Sequence, residues 1–319
     1  MSKTLVYAVG LGLLSWLGLP KIFGAESQYR WQRSADSIAL ARNGHVVWQF
    51  NQGTHGATKP FFHPVALPGG SPLTWQSPPD HVWHYALWFS WKYLNGVNYW
   101  EQDRNGNCEG ITEWGAASFE PQSDYSGLLR LDLRYRPRKS DRPILTEKRT
   151  IVISAPAADG SYAMDWTCEF KAGDEPVKLD RTPPGNQPGG YAGLSVRLAK
   201  GLGDVQVEAT ADKGEARGNR YGYAAMATDF NGRIDDGEAG IAILDHPSNP
   251  RSPSRWYVIK DPGQPFWYMN AAWLQLEPYV LAAKASFTLR YRVCIHPARW
   301  DGARLKAESE RYLRATPGS

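Results

Sequence analysis

Hydrophobic and polar residues alternate with a period of two along most of the chain, the spacing that sends successive side chains to opposite faces of a strand. Over residues 129–136, Leu129, Leu131, Leu133 and Tyr135 share one face and Arg130, Asp132, Arg134 and Arg136 the other. Over 162–170, Tyr162, Met164, Trp166, Cys168 and Phe170 are set against Asp165, Thr167 and Glu169. Over 191–199, Leu194, Val196 and Leu198 oppose Tyr191, Ser195 and Arg197. Over 287–296, Phe287, Leu289, Tyr291, Val293 and Ile295 oppose Arg290, Arg292, Cys294 and His296. Short apolar runs at 45–50, 150–154 and 241–244 predict three more strands. Turn signals separate these runs: Pro68-Gly69-Gly70, Asn105-Gly106, Ala158-Asp159-Gly160, residues 183–190, Asn231-Gly232 and Asp261-Pro262-Gly263. Helical composition is confined to 301–313, opened by Asp301 as a cap.

Many short strands with one apolar face predict an all-β fold, a large antiparallel β-sandwich with a short C-terminal helix near 301–313. No linker or repeat divides residues 26–319, so a single domain is expected. Residues 1–25 have the form of an export signal: Lys3, then an apolar stretch over 5–19, a break at Pro20 and small residues at Gly24-Ala25. That stretch is shorter than the roughly 20 residues of a membrane span. No later run reaches spanning length, so the expectation is an exported chain, periplasmic or extracellular, with no integral membrane segment once the signal is removed.

Composition sharpens this picture in one respect. Aromatic residues make up 13% of the 319 positions, with 14 Trp, 16 Tyr and 10 Phe, which supplies either core or flat platforms for sugar rings. Net charge is weak at +4 and the basic residues are scattered, which argues against nucleic acid as a partner. Three cysteines, Cys108, Cys168 and Cys294, show no disulfide framework and no Cys-x-x-Cys pair.

Candidate chemistry is concentrated in one segment. His63, Asp80, His81 and His84 fall within 22 positions, among Trp83, Trp88 and Trp100, with Glu101 close behind. On a helix, His81 and His84 would share a face and could hold zinc. Pro78-Pro79 precede them, and on a strand a spacing of three sends the rings to opposite faces. A shared divalent metal therefore needs a turn or bulge, and no cofactor is firmly implied. A general acid–base role, hydrogen bonding to sugar hydroxyls and a satisfied core position are the other readings.

A second segment carries Asp245, His246, Asn249, Arg251 and Trp256 among three prolines, either a rigid functional loop or a purely structural turn. Arg197 and His296 sit on polar strand faces, either to clamp a carboxylate or hydroxyls or simply in solvent. Asp229–Asp235 imitates a calcium loop but has Arg233 and Ile234 where an oxygen ligand and Gly are required. Nucleophile elbows, phosphate loops and dinucleotide fingerprints are absent from the sequence.

The run His63-Pro64, Pro79-Asp80-His81-x-x-His84, Leu87-Trp88-Phe89-x-Trp91 and Asn95-Gly96-Val97-x-Tyr99-Trp100 resembles the bacterial "PmoA family", the methane-oxygenase PmoA-like proteins. So do 240–256, with Asp245-His246-Pro247, and 289–296, ending at His296. The usual family segment is Asp-His-Pro-His-His-Arg-Gly, so Trp83, Tyr85 and Ala86 replace its second His, Arg and Gly. The resemblance implies exported proteins of polysaccharide-degrading bacteria. It implies no methane chemistry, because a membrane subunit would need spanning helices. More distantly, and by analogy of fold alone, it resembles sugar mutarotases and related lyases and hydrolases.

Together these readings give an expectation of a carbohydrate ligand and, foremost, a carbohydrate-active enzyme. His81, His84 and His63 with a carboxylate such as Glu101, Asp165 or Glu169 would supply acid–base catalysis of the hydrolase, lyase or epimerase type. Trp83, Trp88, Trp100, Arg197, His246, Asn249, Arg251, Trp256 and His296 would bind substrate. The alternatives are a non-catalytic sugar-binding envelope protein and a metal-dependent enzyme using a His cluster.

Overall fold

The computed structural model describes Met1 and residues 29–52, 58–183, 185 and 189–315; the expected signal therefore lies, apart from Met1, outside the described residues. The chain enters through β1 (Tyr29–Arg33), β2 (Ser37–Arg42), β3 (His45–Asn51), β4 (Phe61–Val65) and β5 (Leu87–Ser90). Two short strands, β6 (Tyr93–Leu94) and β7 (Val97–Asn98), precede β8 (Gly110–Trp114), β9 (Ser118–Pro121), β10 (Gly127–Pro137), β11 (Leu145–Ile153) and β12 (Tyr162–Ala172). Next come β13 (Val177–Asp180), β14 (Gly193–Arg197), β15 (Gly203–Ala209), β16 (Arg220–Ala224) and β17 (Ala227–Ile234). The last strands are β18 (Gly237–Asp245), β19 (Arg255–Asp261), β20 (Phe266–Ala271), β21 (Tyr279–Leu281) and β22 (Ser286–Pro297), followed by α1 (Gly302–Ala315).

They form two nine-stranded sheets and one four-stranded sheet. The first sheet runs β1-β2-β3-β4-β5-β14-β20-β19-β16 and the second β15-β17-β18-β22-β12-β11-β10-β8, with β9 beside β10. The small sheet is β21-β13-β6-β7. Central pairings are antiparallel in both large sheets, as between β12 and β22 or β14 and β20. Among the described residues no helix is long and apolar enough to cross a membrane.

The alternating strands pack where their pattern directs them. Leu129, Leu131, Leu133, Met164, Trp166, Phe170, Leu289 and Tyr291 point between the large sheets and meet Val47, Phe62, Phe89 and Val196 of the first sheet in one buried cluster. Cross-sheet ring contacts mark the seam: Phe62 to Trp166 at 5.7 Å and Phe89 to Phe170 at 5.4 Å. A buried Trp takes on the order of 200 Å² out of water, about 5 kcal/mol before entropy is counted. All three cysteines are buried and unpaired.

Two expectations change. Asn231-Gly232 is strand interior in β17, and the turn falls after Ile234. Gly232 is there for a close approach, since a Cβ would stand 2.6 Å from the Gly203 carbonyl oxygen. Arg197 and His296, for which the sequence leaves solvent as one of two readings, are both buried, while Arg290 and Arg292 on the same face as His296 are half-buried. All five residues of β14 are buried, because the segment before β5 folds over that face. The outer face of β22 near Cys294 is covered by α1 through Leu305 and Tyr312.

Candidate functional site

The outward face of the first sheet carries a second aromatic cluster, separate from the core: Phe61, Tyr85, Trp88, Trp100, Tyr257, Phe266 and Tyr268, with Trp83 and Tyr191 packed against it. Register places it in rows. Phe61, Trp88, Ser195, Asn270 and Tyr257 lie side by side across β4, β5, β14, β20 and β19. The next row is Arg197, Tyr268, Ile259 and Arg220. Neighbouring strands are about 4.8 Å apart, so Arg197 and Arg220 stand at the ends of a row roughly 14 Å long.

Residues 74–85 cross this face. Thr74 bridges to Leu198, Trp75 N–H donates to the Arg197 carbonyl at 2.9 Å, and Ser77 N–H donates to the His84 carbonyl at 2.8 Å. Pro78-Pro79 cannot donate to a ladder, and the chain makes two consecutive tight turns instead, His81 N–H to Pro78 O and His84 N–H to His81 O, both 2.9 Å. The second turn brings the His81 and His84 rings to 4.7 Å between centroids. A spacing of three that divides two rings on a strand unites them on a turn.

Beneath the turn lies a cavity of about 400 Å³ lined by His81, Trp83, His84, Tyr191, Asn219, Arg220, Tyr257, Ile259, Asp261, Gln264, Phe266 and Tyr268. Its volume falls in the range of small-ligand sites. Trp83 and Phe266 hold the His81 ring edge-on at 5.4 and 4.9 Å, and Tyr191 stacks with Tyr257 at 5.9 Å.

Asp80 joins His81 to Arg197. Its Oδ2 lies 3.1 Å from His81 Nδ1 and 2.8 Å from Arg197 Nη2. The Arg197 guanidinium lies 3.5 Å from the Phe266 ring centre, in cation–π contact, and is fully buried. Burial alone would raise the Asp80 carboxyl, but the Arg197 charge and the bonds from His81 and Arg197 outweigh it and hold the group below the usual carboxylate range. An ionised Asp80 accepts from His81 Nδ1–H and leaves Nε2 as the basic nitrogen. Burial lowers the His81 pKa from the ordinary 6.5, with Asp80 acting in the opposite sense, so the imidazole is neutral at pH 7. His84 is lowered much further by burial, with His81, Arg197 and Lys59 adding to the effect.

The other residues named from the sequence are distributed as follows. Trp88 and Trp100 form the floor behind the lining, and Lys59, its pKa lowered by burial to about 8, donates to the Trp100 carbonyl at 2.8 Å. Glu101 stands one bond behind the cavity and accepts from the Tyr191 hydroxyl at 3.0 Å. Burial would raise its carboxyl, but Lys92, Asn98 and Tyr191 outweigh that and lower it. His63 bonds Thr74 through Nδ1 at 3.0 Å and does not line the cavity.

The second segment lies elsewhere. Asn249 pins Asp245 and the β22 backbone at Arg290, and Arg251 caps the Glu277 and Pro278 carbonyls at 2.9 Å each. Trp256 is core and donates to Ala225 O at 2.8 Å. His246 packs on Tyr312 of α1, and His296 stacks on Trp300 beside Asp229. Asp165 pairs with Arg292 on the second sheet. Among the described residues no group of three or more His, Cys, Asp or Glu is arranged to hold a metal ion.

Tyr191, Arg220, Tyr257, Asp261, Phe266 and Tyr268 line the cavity and were not singled out from the sequence. Tyr257 and Asp261 lie on β19 and Phe266 and Tyr268 on β20, strands largely buried on both faces, so a continuous apolar run hides the alternation. The aromatic count was the available signal.

The chain belongs to the family described as a family of unknown function (DUF6807), which matches residues 37–310. That description contains neither an activity nor a methane-oxygenase name. No curated protein matches the sequence. Among solved structures, the galactosidase domain of an α-galactosidase–sucrose kinase, AgaSK, is similar at 10% identity and TM-score 0.39, over 87% of this chain and 41% of that one. A putative aldose 1-epimerase from Klebsiella pneumoniae is similar at 11% identity and TM-score 0.39, over 87% of this chain and 83% of that one. A TPR-domain containing protein from Parabacteroides distasonis reaches TM-score 0.27 at 9% identity, over 88% and 48%. The chain thus spans less than half the length of the first and third. Likeness of this degree assigns no activity.

Proposed function

We propose that this chain is an exported carbohydrate-active enzyme that seats a sugar ring against Trp83, Tyr257, Phe266 and Tyr268 and removes a proton from it with His81. The observation that carries the reading is the Arg197–Asp80–His81 relay at the edge of an aromatic-walled cavity. A base needs an orienting partner and a pKa below the working pH; His81 has both. His84, neutral beside it, can donate or accept a hydrogen bond to a hydroxyl.

Lyase or epimerase chemistry fits better than hydrolysis by two carboxylates. Such hydrolysis needs a carboxyl pair about 5–10 Å apart across the bond. Among the described residues Asp261 is the one carboxylate in the cavity lining, and Asp80 and Glu101 are engaged behind it. Export rests on residues 1–25 and is tested by fractionating the native host.

The enzymatic test is a screen of oligosaccharides for unsaturated or epimerised products with wild-type protein and His81→Ala. Turnover that His81→Ala abolishes while the fold persists supports the proposal. Sugar binding with no turnover by the wild type would leave a binding protein, and full activity in His81→Ala would remove His81 from the mechanism.

A further inference from the structure

The cavity wall holds a guanidinium that no carboxylate pairs among the described residues. Arg220 lines the wall opposite His81, at the far end of the row that begins at Arg197. The two guanidiniums differ in pairing and in burial: Arg197 is fully buried and bound to Asp80, whereas Arg220 is half-buried and has no carboxylate oxygen among the described residues within 4.0 Å. Arg220 Nε is buried and makes no hydrogen bond. A buried donor without an acceptor is costly unless a ligand completes it.

Asp261 shares that wall and would be the natural partner, but its oxygens are already engaged. Oδ2 accepts from Asn219 Nδ2 at 2.7 Å, and Oδ1 accepts from the backbone N–H groups of Gly263 and Gln264 at 3.0 and 3.3 Å. The Tyr257 hydroxyl near Arg220 has its pKa raised by burial, with the guanidinium acting in the opposite sense, and stays protonated. Arg220 is therefore a planar fork of donors facing a cavity whose remaining lining is aromatic or neutral, apart from Asp261. That is the chemistry that recognises a carboxylate.

We infer that the substrate of this cavity is an acidic sugar, a hexuronic acid or an oligosaccharide containing one, whose carboxylate binds Arg220 while the ring lies on the aromatic wall. The inference rests on the proposed sugar-binding role of the cavity and narrows it to one substrate class. It also bears on reactivity, because neutralising a uronate carboxylate makes the adjacent ring proton easier to remove.

The test compares matched probes. Binding of methyl glucuronide against methyl glucoside, and of methyl galacturonide against methyl galactoside, is measured by quenching of tryptophan fluorescence and by calorimetry. The expected result is that wild type prefers at least one acidic member about tenfold or more, that added salt erodes the preference, and that Arg220→Gln brings the ratio to about one. Arg220→Lys retains part of the preference, as a point charge without the fork. Equal binding of acidic and neutral partners by wild type would overturn the inference and leave the sugar-binding reading standing. Preference surviving in a folded Arg220→Gln would overturn it as well. Binding of neither class would sink both readings together. Should Arg220→Gln fail to fold, the salt dependence of the wild-type ratio decides.

Discussion

Tyr268 stacks on His84 with ring centroids 4.9 Å apart and planes inclined by 21°. Trp88 covers the same imidazole at 5.2 Å, and its Nδ1 is buried with no hydrogen-bond partner. Protonating His84 would place a charge among rings, next to Arg197, which explains why burial first and neighbouring cations second drive its pKa well below 6.5.

A stability prediction follows from that sign. The unfolded chain takes up a proton at this residue near the ordinary 6.5 while the folded chain does not, so stability declines as pH falls below that value. One such group contributes a slope of up to about 1.4 kcal/mol per pH unit. Wild type is expected to melt at lower temperature at pH 5 than at pH 7, and His84→Phe, which keeps the ring packing, to melt with a shallower dependence. His63 and His81 are also lowered and leave a residual slope. Parallel curves for the two proteins would contradict this account.

The pH dependence of turnover reports on His81. As the free base it works above its lowered pKa, so activity is expected to stay level through neutrality and to fall only on the acid side of 6.5. Loss of the imidazole in His81→Ala should cost about 10²–10⁴ in rate. Asp80→Asn removes a group that raises the His81 pKa, so the acid limb should move to lower pH as the rate drops. Rate profiles of both variants check this, and a limb moving upward would refute the relay.

Much of the fold was legible because its strands show one face to the core and the other to water. The sequence at 129–136 and 162–170 maps onto β10 and β12 with the expected inward residues buried. The site was half legible. His81, His84 and Trp83 stand out as a cluster of rare residues, yet their convergence depends on a turn that pattern cannot reveal. Arg197 lies on the polar side of a cleanly alternating strand, a pattern that leaves both solvent and a clamp open; it is buried because a distant segment lies over it. His246, Asn249, Arg251 and His296 share the same dense motif character, yet the first two and the last serve the second sheet and α1, and Arg251 holds the connection between β20 and β21.

His296 shows why such a motif can be structural. Its ring lies 3.7 Å from Trp300 at 11° and 3.1 Å from Asp229 Oδ1, a space that exists because residue 240 is Gly. A Cβ there would stand 2.5 Å from His296 Cε1. Gly240→Ala is therefore expected to cost about 1–3 kcal/mol by overpacking, read as a lower melting temperature. Sugar binding at the opposite sheet should persist in the folded fraction, and an unchanged melting temperature would show that the ring can move aside.

The Asp80–Arg197 pair should respond asymmetrically to removal of its two members. Arg197 has a side chain 1% exposed, whereas Asp80 is 38% exposed. Removing Asp80 leaves a guanidinium in the interior whose Nε and Nη1 already lack partners. Removing Arg197 leaves a carboxylate that water can reach. Asp80→Asn is accordingly expected to destabilise by about 1–3 kcal/mol, and Arg197→Met, which keeps the packing on Phe266, by less. The double variant should recover much of the Asp80→Asn loss, because the buried charge disappears with its partner. Activity should behave differently, since each of the three variants loses either the Asp80–His81 bond or the Arg197 contact that holds Asp80, and none should regain wild-type turnover. Denaturant unfolding of the four proteins measures the first claim and steady-state rates the second. Additive stability losses, or Arg197→Met proving the costlier single change, would mean that Arg197 is held by packing alone and that Asp80 does not anchor it.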